Sequence, residues 1–481
     1  MSSFLIVSFK VYGIVLICLL LKGLLAQQKV TEQHLSGPLT NMKVLENKVY
    51  IGGTDVIYIL NDDLSVNQTG STCNKTAVPK CGNVNKVLLL NKFTREVYVC
   101  GTGMEGFCDS RPMNDIGTVK VQSSSLKIST DFKRPAKGLI TSNGNIMMAV
   151  TYGQGITAND KHGSLTYNYC LSTWKTSLYR SDKSLRLSIY IGTLNDYIIY
   201  YRSSFQAEGY SYFLTNQKEF VGSSKYVTKL VRICQNATNY HSYTDIFVNC
   251  KHNGKIYNLL QDAILIEPPS KYDSSESIFV GAFTRGNYPE RPAGDTVLCL
   301  TKLKMFDNKV LEAKRNYVLS CVHRGGEQFW RYLPDLKNGV CINEEEFRYK
   351  DFVCETASPT YRYVIGNVTV SLTHGYNVEA NHGVITALHG TLIGSNNLVL
   401  MAGTSEGQVL QLNLQPDSDR LELYNTFDTD AGERIQGIHQ YTDDKLFVMS
   451  NRKSSILNTA VSYRKAQVHV HAKLWPQCTV D

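Results

Sequence analysis

Short apolar or alternating runs recur between turn residues along the chain, and the dominant period is two. Val56-Ile57-Tyr58-Ile59-Leu60 ends at Asn61-Asp62-Asp63, and Lys86 to Leu90 is followed by Val97-Tyr98-Val99. Ser188 to Ile191 leads through Gly192 to Tyr197–Tyr201, and Tyr210 to Leu214 stops at Thr215-Asn216. Later runs cover Ser277 to Phe283, Leu398 to Met401, Val409 to Leu414 and Lys445 to Met449. Runs of this length between polar turns predict antiparallel strands joined as hairpins. Helical spacing is confined to Thr301–Leu319 and Tyr257–Leu265.

No Pro/Gly/Ser-rich linker divides the chain after Ala26, so residues 27–475 read as one large domain. So many hairpins need a closed arrangement, because one open sheet would leave long unpaired edges. Radial blades around an axis meet that need. The expected fold is all-β: a seven-bladed β-propeller with short helical insertions between blades. Seven blades would average roughly 65 residues, more than the ~45 of short-repeat propellers, which implies the insertions. An array of β-sandwiches is the competing arrangement, but it would show boundaries every ~100 residues.

Composition narrows the class. Of 481 residues, 43% are apolar and 19% charged, enough for a core and too apolar for wholesale disorder. The 29 tyrosines suit strands. The formal charge is +8, or +6 without Lys10 and Lys22, and no run of five Lys or Arg occurs. Nucleic acid is therefore not an expected partner.

The N-terminus sets the compartment. Lys10 precedes the apolar stretch Val11–Leu21, and Leu24-Leu25-Ala26 precedes Gln27. This describes a secretory signal peptide over residues 1–26, cut after Ala26. Nothing later approaches the ~18 uninterrupted apolar residues of a membrane helix. Thirteen cysteines are present, of which Cys18 leaves with the signal; the other twelve are expected to pair in an oxidising compartment. Sequons stand at Asn67, Asn74, Asn236 and Asn367, expected sites of glycosylation. The expected location is secreted, or cell-surface if the chain is a piece of a longer receptor.

Several segments together resemble the sema domain, and within it the plexin branch. Tyr50-Ile51-Gly52-Gly53-Thr54-Asp55-Val56-Ile57-Tyr58 is similar to an opening blade strand. Asn85 to Leu90, then Val99-Cys100-Gly101-Thr102 and Gly106-Phe107-Cys108, follow the plexin pattern. Lys229-Leu230-Val231-Arg232-Ile233-Cys234, Tyr240-His241-Ser242-Tyr243, Cys250 and Tyr257 to Ala263 match best. Gly403-Thr404-Ser405-Glu406-Gly407 resembles the family's late hairpin, with Glu406 where Asp is usual. The resemblance spans roughly residues 35 to 478.

The resemblance implies the pairs Cys73–Cys81, Cys100–Cys108, Cys234–Cys354, Cys250–Cys299 and Cys321–Cys341. Cys170 and Cys478 are left over. Residues 476–481 would then begin a Cys-rich module of the plexin type, cut short. The resemblance also implies a protein partner, the sema domain of a semaphorin, bound by a plexin-like receptor ectodomain or a soluble decoy in cell guidance; a homodimer is a further possibility. The alternative within the same class is a semaphorin-like ligand. The hepatocyte-growth-factor receptor branch shares the fold, but its type of dibasic processing site is absent. The ligand interface is not assignable from sequence.

Catalytic readings are weaker. Gly403 to Gly407 fits the G-x-S-x-G elbow of a hydrolase with Ser405 as nucleophile, but the alternating segment after it predicts a second strand where the elbow needs a helix. Gly101-Thr102-Gly103-Met104-Glu105-Gly106 fits G-x-G-x-x-G, yet Pro112 follows too soon for the helix a dinucleotide site requires. His469, His471 and Cys478 lack further zinc ligands at matching spacing. Glu344-Glu345-Glu346 reads as a solvated acidic loop. The chain is expected to be no enzyme, with no cofactor and no metal.

Overall fold

The computed structural model describes residues 31–458 except 74–80, 104–105, 152–168, 175–184, 189–196, 236–241, 269–275, 320–363, 394–396, 415–419, 430–431 and 443–444. Its strands form seven four-stranded antiparallel units. Six follow chain order: blade 1 (residues 39–71), blade 2 (85–127), blade 3 (136–188), blade 4 (200–252), blade 5 (259–377) and blade 6 (385–428). Blade 7 takes three strands from residues 435–458 and its fourth, Thr31–His34, from the other end of the chain. Thr31 stands opposite Ile456 and His34 opposite Lys453. The first strand of each blade touches the first strand of the next, and Ile435–Thr442 returns to Leu39–Leu45. The ring is closed, as the hairpin pattern predicts.

Closure explains the sequence pattern. Each blade is packed on both faces, so a strand buries both of its alternating sets. In Val56–Leu60, Tyr58 and Leu60 join Phe447 and Met449 in the gap towards blade 7. Ile57 and Ile59 join Leu88, Val97 and Val99 in the gap towards blade 2. Each of the seven gaps holds its own apolar cluster, and the core is this set of wedges.

The helical expectation at Thr301–Leu319 is met by a helix over Leu303–Leu319. Leu303, Phe306, Val310 and Ala313 lie on its one buried stripe, against the wedge between blades 4 and 5. The expectation at Tyr257–Leu265 is corrected. Lys255–Tyr257 is a short strand on blade 4, and Leu259–Ile266 is the inner strand of blade 5. A bulge between Leu260 and Asp262 offsets the alternation, so buried Leu260, Ala263 and Ile266 recur every three residues and imitate a helix. Thr215-Asn216 is no turn either: the strand runs Tyr210–Lys218. Asn216 is fully buried, and its amide donates to the Leu260 carbonyl (2.8 Å) while its Oδ1 accepts from the Leu260 N–H (2.9 Å). A residue that usually marks a turn here ties blade 4 to blade 5.

These two blades are also joined at their outer edges. Val364–Asn377 closes blade 5 through its second half, and its first half pairs in parallel with Thr244–His252 of blade 4. Asp245, fully buried at this seam, accepts from the Gly366 N–H (3.1 Å) and pairs with the equally buried Lys229 (3.4 Å). Burial holds the Lys229 ammonium below the ordinary lysine range, and the Asp245 carboxylate works against that. A Cβ on Gly366 would lie 2.4 Å from the Asp245 carbonyl oxygen and 3.0 Å from the Ala313 Cβ, so the seam has room only for glycine. Lys229→Ala leaves a buried carboxylate without its cation and should cost about 3–5 kcal/mol in chemical denaturation.

His439, on the inner strand of blade 7, is pushed down to about 3, chiefly by burial and then by Lys43 beside it. Between about 3 and the ordinary ~6.5, the unfolded chain holds a proton that the folded one refuses. Stability should therefore fall on acidification through that window, by up to about 1.4 kcal/mol per pH unit from this group. His439→Asn should lose less stability than wild type between pH 7 and pH 4.5 when both are followed by denaturant titration.

Candidate protein-interaction face

A ring of four-stranded blades has two unlike faces. The hairpin between second and third strands, and the connection from one blade to the next, emerge on one side. The other two turns of each blade, including the helix Leu303–Leu319 of blade 5, emerge on the opposite side. Both glycine-rich motifs belong to the first, hairpin side. Glu96–Gly101 and Phe107–Pro112 are paired strands clipped by Cys100–Cys108, and at their hairpin end the Gly106 N–H donates to the Gly103 carbonyl (2.9 Å). Asn397–Thr404 and Gln408–Leu414 are likewise paired, which makes Ser405 a turn residue. Its hydroxyl donates to Glu406 (3.0 Å) and accepts from the Val384 N–H (3.1 Å). His382, nearby in sequence, bonds Gln408 instead, through Nδ1 at 2.7 Å. The Ser–His contact of an activated nucleophile is therefore not made at Ser405 among the described residues.

The structure also joins Cys73 to Cys81 and Cys250 to Cys299, and Cys234 is disulfide-bonded. Cys250–Cys299 crosses from blade 4 to blade 5. Asp55 lies 3.2 Å and 3.3 Å from the sulfurs of Cys73 and Cys81 and accepts from the Asn83 N–H (2.6 Å). Because those sulfurs are bonded to each other they offer no thiolate, and this cluster is no metal site. Asn67 and Asn367 are exposed, each near the start of an outermost strand and so towards the side away from the hairpins. Cys321, Cys341, Cys354, Cys478, Asn74, Asn236, Glu344–Glu346, His469, His471 and the 1–26 segment lie outside the described residues, as does the side chain of Cys170.

The hairpin side carries a patch that no motif announced. Phe132, in the connection from blade 2 to blade 3, is 70% exposed, and Tyr288, at the end of Ile278–Tyr288, is 60% exposed. Tyr288 stands on a built support, and Phe132 lies two residues before Arg134, which belongs to that support. The Tyr288 ring lies 6.3 Å from Tyr226, which lies 6.2 Å from Tyr200. The Arg134 guanidinium sits 5.1 Å over Tyr200 and pairs with Glu290 (3.1 Å) and Asp131 (3.6 Å). The Tyr200 hydroxyl also donates to Glu290 (3.2 Å), and burial pushes this phenol up to about 12. Behind the hairpin, Asn258 donates to the Gly286 carbonyl (2.8 Å) and accepts from its N–H (3.2 Å). Tyr288 rims an open hollow with Arg285 and Arg291. Exposed rings and arginines on a fixed base are the residues that dominate protein–protein contacts. In the sequence, Phe132 and Tyr288 are single aromatics in polar stretches, Ser129–Arg134 and Arg285–Arg291; only the fold brings those stretches together.

A seven-bladed ring closed by its own N-terminal strand and clipped by disulfides defines a β-propeller of the sema type. No protein-family model matches the chain. It is 22% identical to mouse (Mus musculus) Plexin-A4 over 476 residues, covering 84% of this chain and 23% of the plexin. The chain thus spans about a quarter of the length of that curated relative. It superposes on the Plexin A4 extracellular region with a TM-score of 0.68 at 19% identity, covering 88% of this chain and 50% of that one. It also superposes on a structure of Drosophila Plexin A in complex with Semaphorin 1b, with a TM-score of 0.61 at 15% identity, covering 90% and 87%. The chain is a homologue of the plexins and carries their sema-domain fold.

Because Phe132 and Tyr288 contribute little buried area, Phe132→Ser and Tyr288→Ser should each change folding stability by no more than about 0.5 kcal/mol. Arg134→Ala, by removing charge-assisted bonds from a mostly buried guanidinium, should cost about 1–3 kcal/mol. It should also speed hydrogen exchange at residues 285–291, which Arg134 holds through Glu290.

Proposed function

We propose that the chain is an extracellular, plexin-like recognition module that binds the sema domain of a semaphorin. The observation that carries this reading is the hairpin face, where Tyr288 stands exposed on the Tyr226–Tyr200–Arg134 support and Phe132 is exposed two residues before Arg134. The plexin homology and the likeness to the fly structure, a plexin in complex with a semaphorin, supply the class of partner. Asn67 and Asn367 point the same way, since glycans there would leave the hairpin face bare. Residues 1–26 act as the signal peptide, residues 27–475 as the binding propeller, and the role is binding without catalysis. A contact burying ~1,200–2,000 Å² would take in several hairpins around Tyr288.

The test is optical-sensor binding of the purified glycosylated chain to a panel of immobilised semaphorin ectodomains. Saturable binding to at least one member is expected, abolished by reduction and unchanged by Ser405→Ala. The Phe132→Ser, Tyr288→Ser double variant should bind at least tenfold more weakly. A folded chain that binds no semaphorin sinks the receptor reading, and full affinity in the double variant sinks the assignment of the face.

A further inference from the structure

The axis of the ring holds a concentration of positive charge that protein binding at the hairpin face does not use. Lys43 comes from the inner strand of blade 1, Lys137 from that of blade 3 and Arg202 from that of blade 4. Arg434 precedes the inner strand of blade 7 by one residue. Lys137 is within electrostatic reach of Arg202, Arg434 and Asp262; Lys43 of Lys137 and Asp262; and Arg202 of Arg434. Blades 1 and 3, 3 and 7, 4 and 7, and 1 and 5 are not neighbours in the ring. Their side chains can meet only across the axial channel. Lys43 and Arg434 are exposed, yet protein surrounds each closely enough to hold its pKa down, as expected for the wall of a narrow water-filled channel.

Among the described residues, Asp262 is the carboxylate within reach of Lys43, Lys137 and Arg434, while Arg202 is within reach of Glu290. Asp262 already accepts the Leu388 N–H at 2.9 Å, so its capacity to neutralise them is divided. Lys43, Lys137 and Arg434 have no hydrogen-bond or ion-pair partner among the described residues, and Arg202, which donates to the Pro289 carbonyl (2.5 Å), has a buried Nε with none. Unpartnered donors from four blades, converging in a confined space with low-dielectric walls, raise the local concentration of anions. Guanidinium and ammonium groups together suit a tetrahedral oxyanion, whose several oxygens accept from different directions.

We propose that the axial channel is a binding site for a small multivalent oxyanion of the phosphate or sulfate class, held by Lys43, Lys137, Arg202 and Arg434. The test is isothermal titration of the whole purified chain at constant ionic strength, with inorganic pyrophosphate in one arm and a sulfated heparin disaccharide in the other. Saturable one-site binding in either arm is expected, and the tighter arm identifies the source. The Lys43→Ala, Lys137→Ala double variant should bind at least tenfold more weakly. In chloride buffer it should melt no lower than wild type, because it removes like-charge repulsion, so a loss of binding will not reflect unfolding. Asp262→Asn should bind more tightly. No saturable heat in either arm, or unchanged affinity in the double variant, overturns the proposal.

Discussion

Everything else in this molecule depends on the pairing of Thr31–His34 with Lys453–Asn458. A blade at the end of an open array would expose one face and one edge, and its apolar residues would have nothing to pack against. Four residues from the N-terminal end remove both defects by completing blade 7 with the other end of the chain. The Leu39 N–H, donating to the Asn451 carbonyl at 2.6 Å, fixes the same junction where blade 1 begins. Once the ring is shut, each strand must satisfy two wedges at once. That requirement produces the uninterrupted burial of residues 49–53 and of Tyr226–Cys234, which an open sheet with a wet face would not tolerate.

The sequence made the ring legible because closure acts on every strand alike. Short, largely apolar runs and the lack of a linker follow from it, and seven blades is the count that the structure has. What stayed hidden was local. The Leu260–Asp262 bulge turned a period of two into a period near three, and Leu259–Ile266 imitated a helix. Asn216 looked like a strand end because an asparagine's usual partner is its own turn; here the partner is the backbone of the next blade, 44 residues away. The parallel seam between Thr244–His252 and Val364–Asn377 had no signal, since it pairs residues about 120 apart and its requirement for Gly366 is steric. The aromatic face was hidden for a related reason. An exposed Phe or Tyr in a polar loop carries no periodicity, and only the position of its supports distinguishes it from an accident.

The two sides of the ring divide the work. On the side of the helix, Leu303–Leu319 fills the outer part of the wedge between blades 4 and 5. On the hairpin side, the projecting end of the Ile278–Tyr288 hairpin is held by the blades themselves. Tyr288 shows the consequence. Its strand continues past the last ladder residues of the wedge, and Asn258, Glu290 and Arg134 fix its end before any partner arrives. Rigid presentation of this kind lowers the ordering cost of association, and that cost, more than area, decides whether such a surface binds tightly.

Closure also brings a cost to the axis that the wedges do not share. In a gap between blades, opposing side chains can be apolar and pack; at the axis, seven strand edges converge and whatever faces inward meets side chains from blades far apart in sequence. Asp262 and Asn216 show how polar groups near the centre are handled, each tied to the backbone of the neighbouring blade. Lys43, Lys137 and Arg434 are not tied in this way. Like charges gathered in one channel raise the free energy of the folded ring, and hydrophobic residues of similar length would remove that penalty. A ring stable enough to carry the penalty can use it: the repulsion lost when an anion enters adds to the attraction gained.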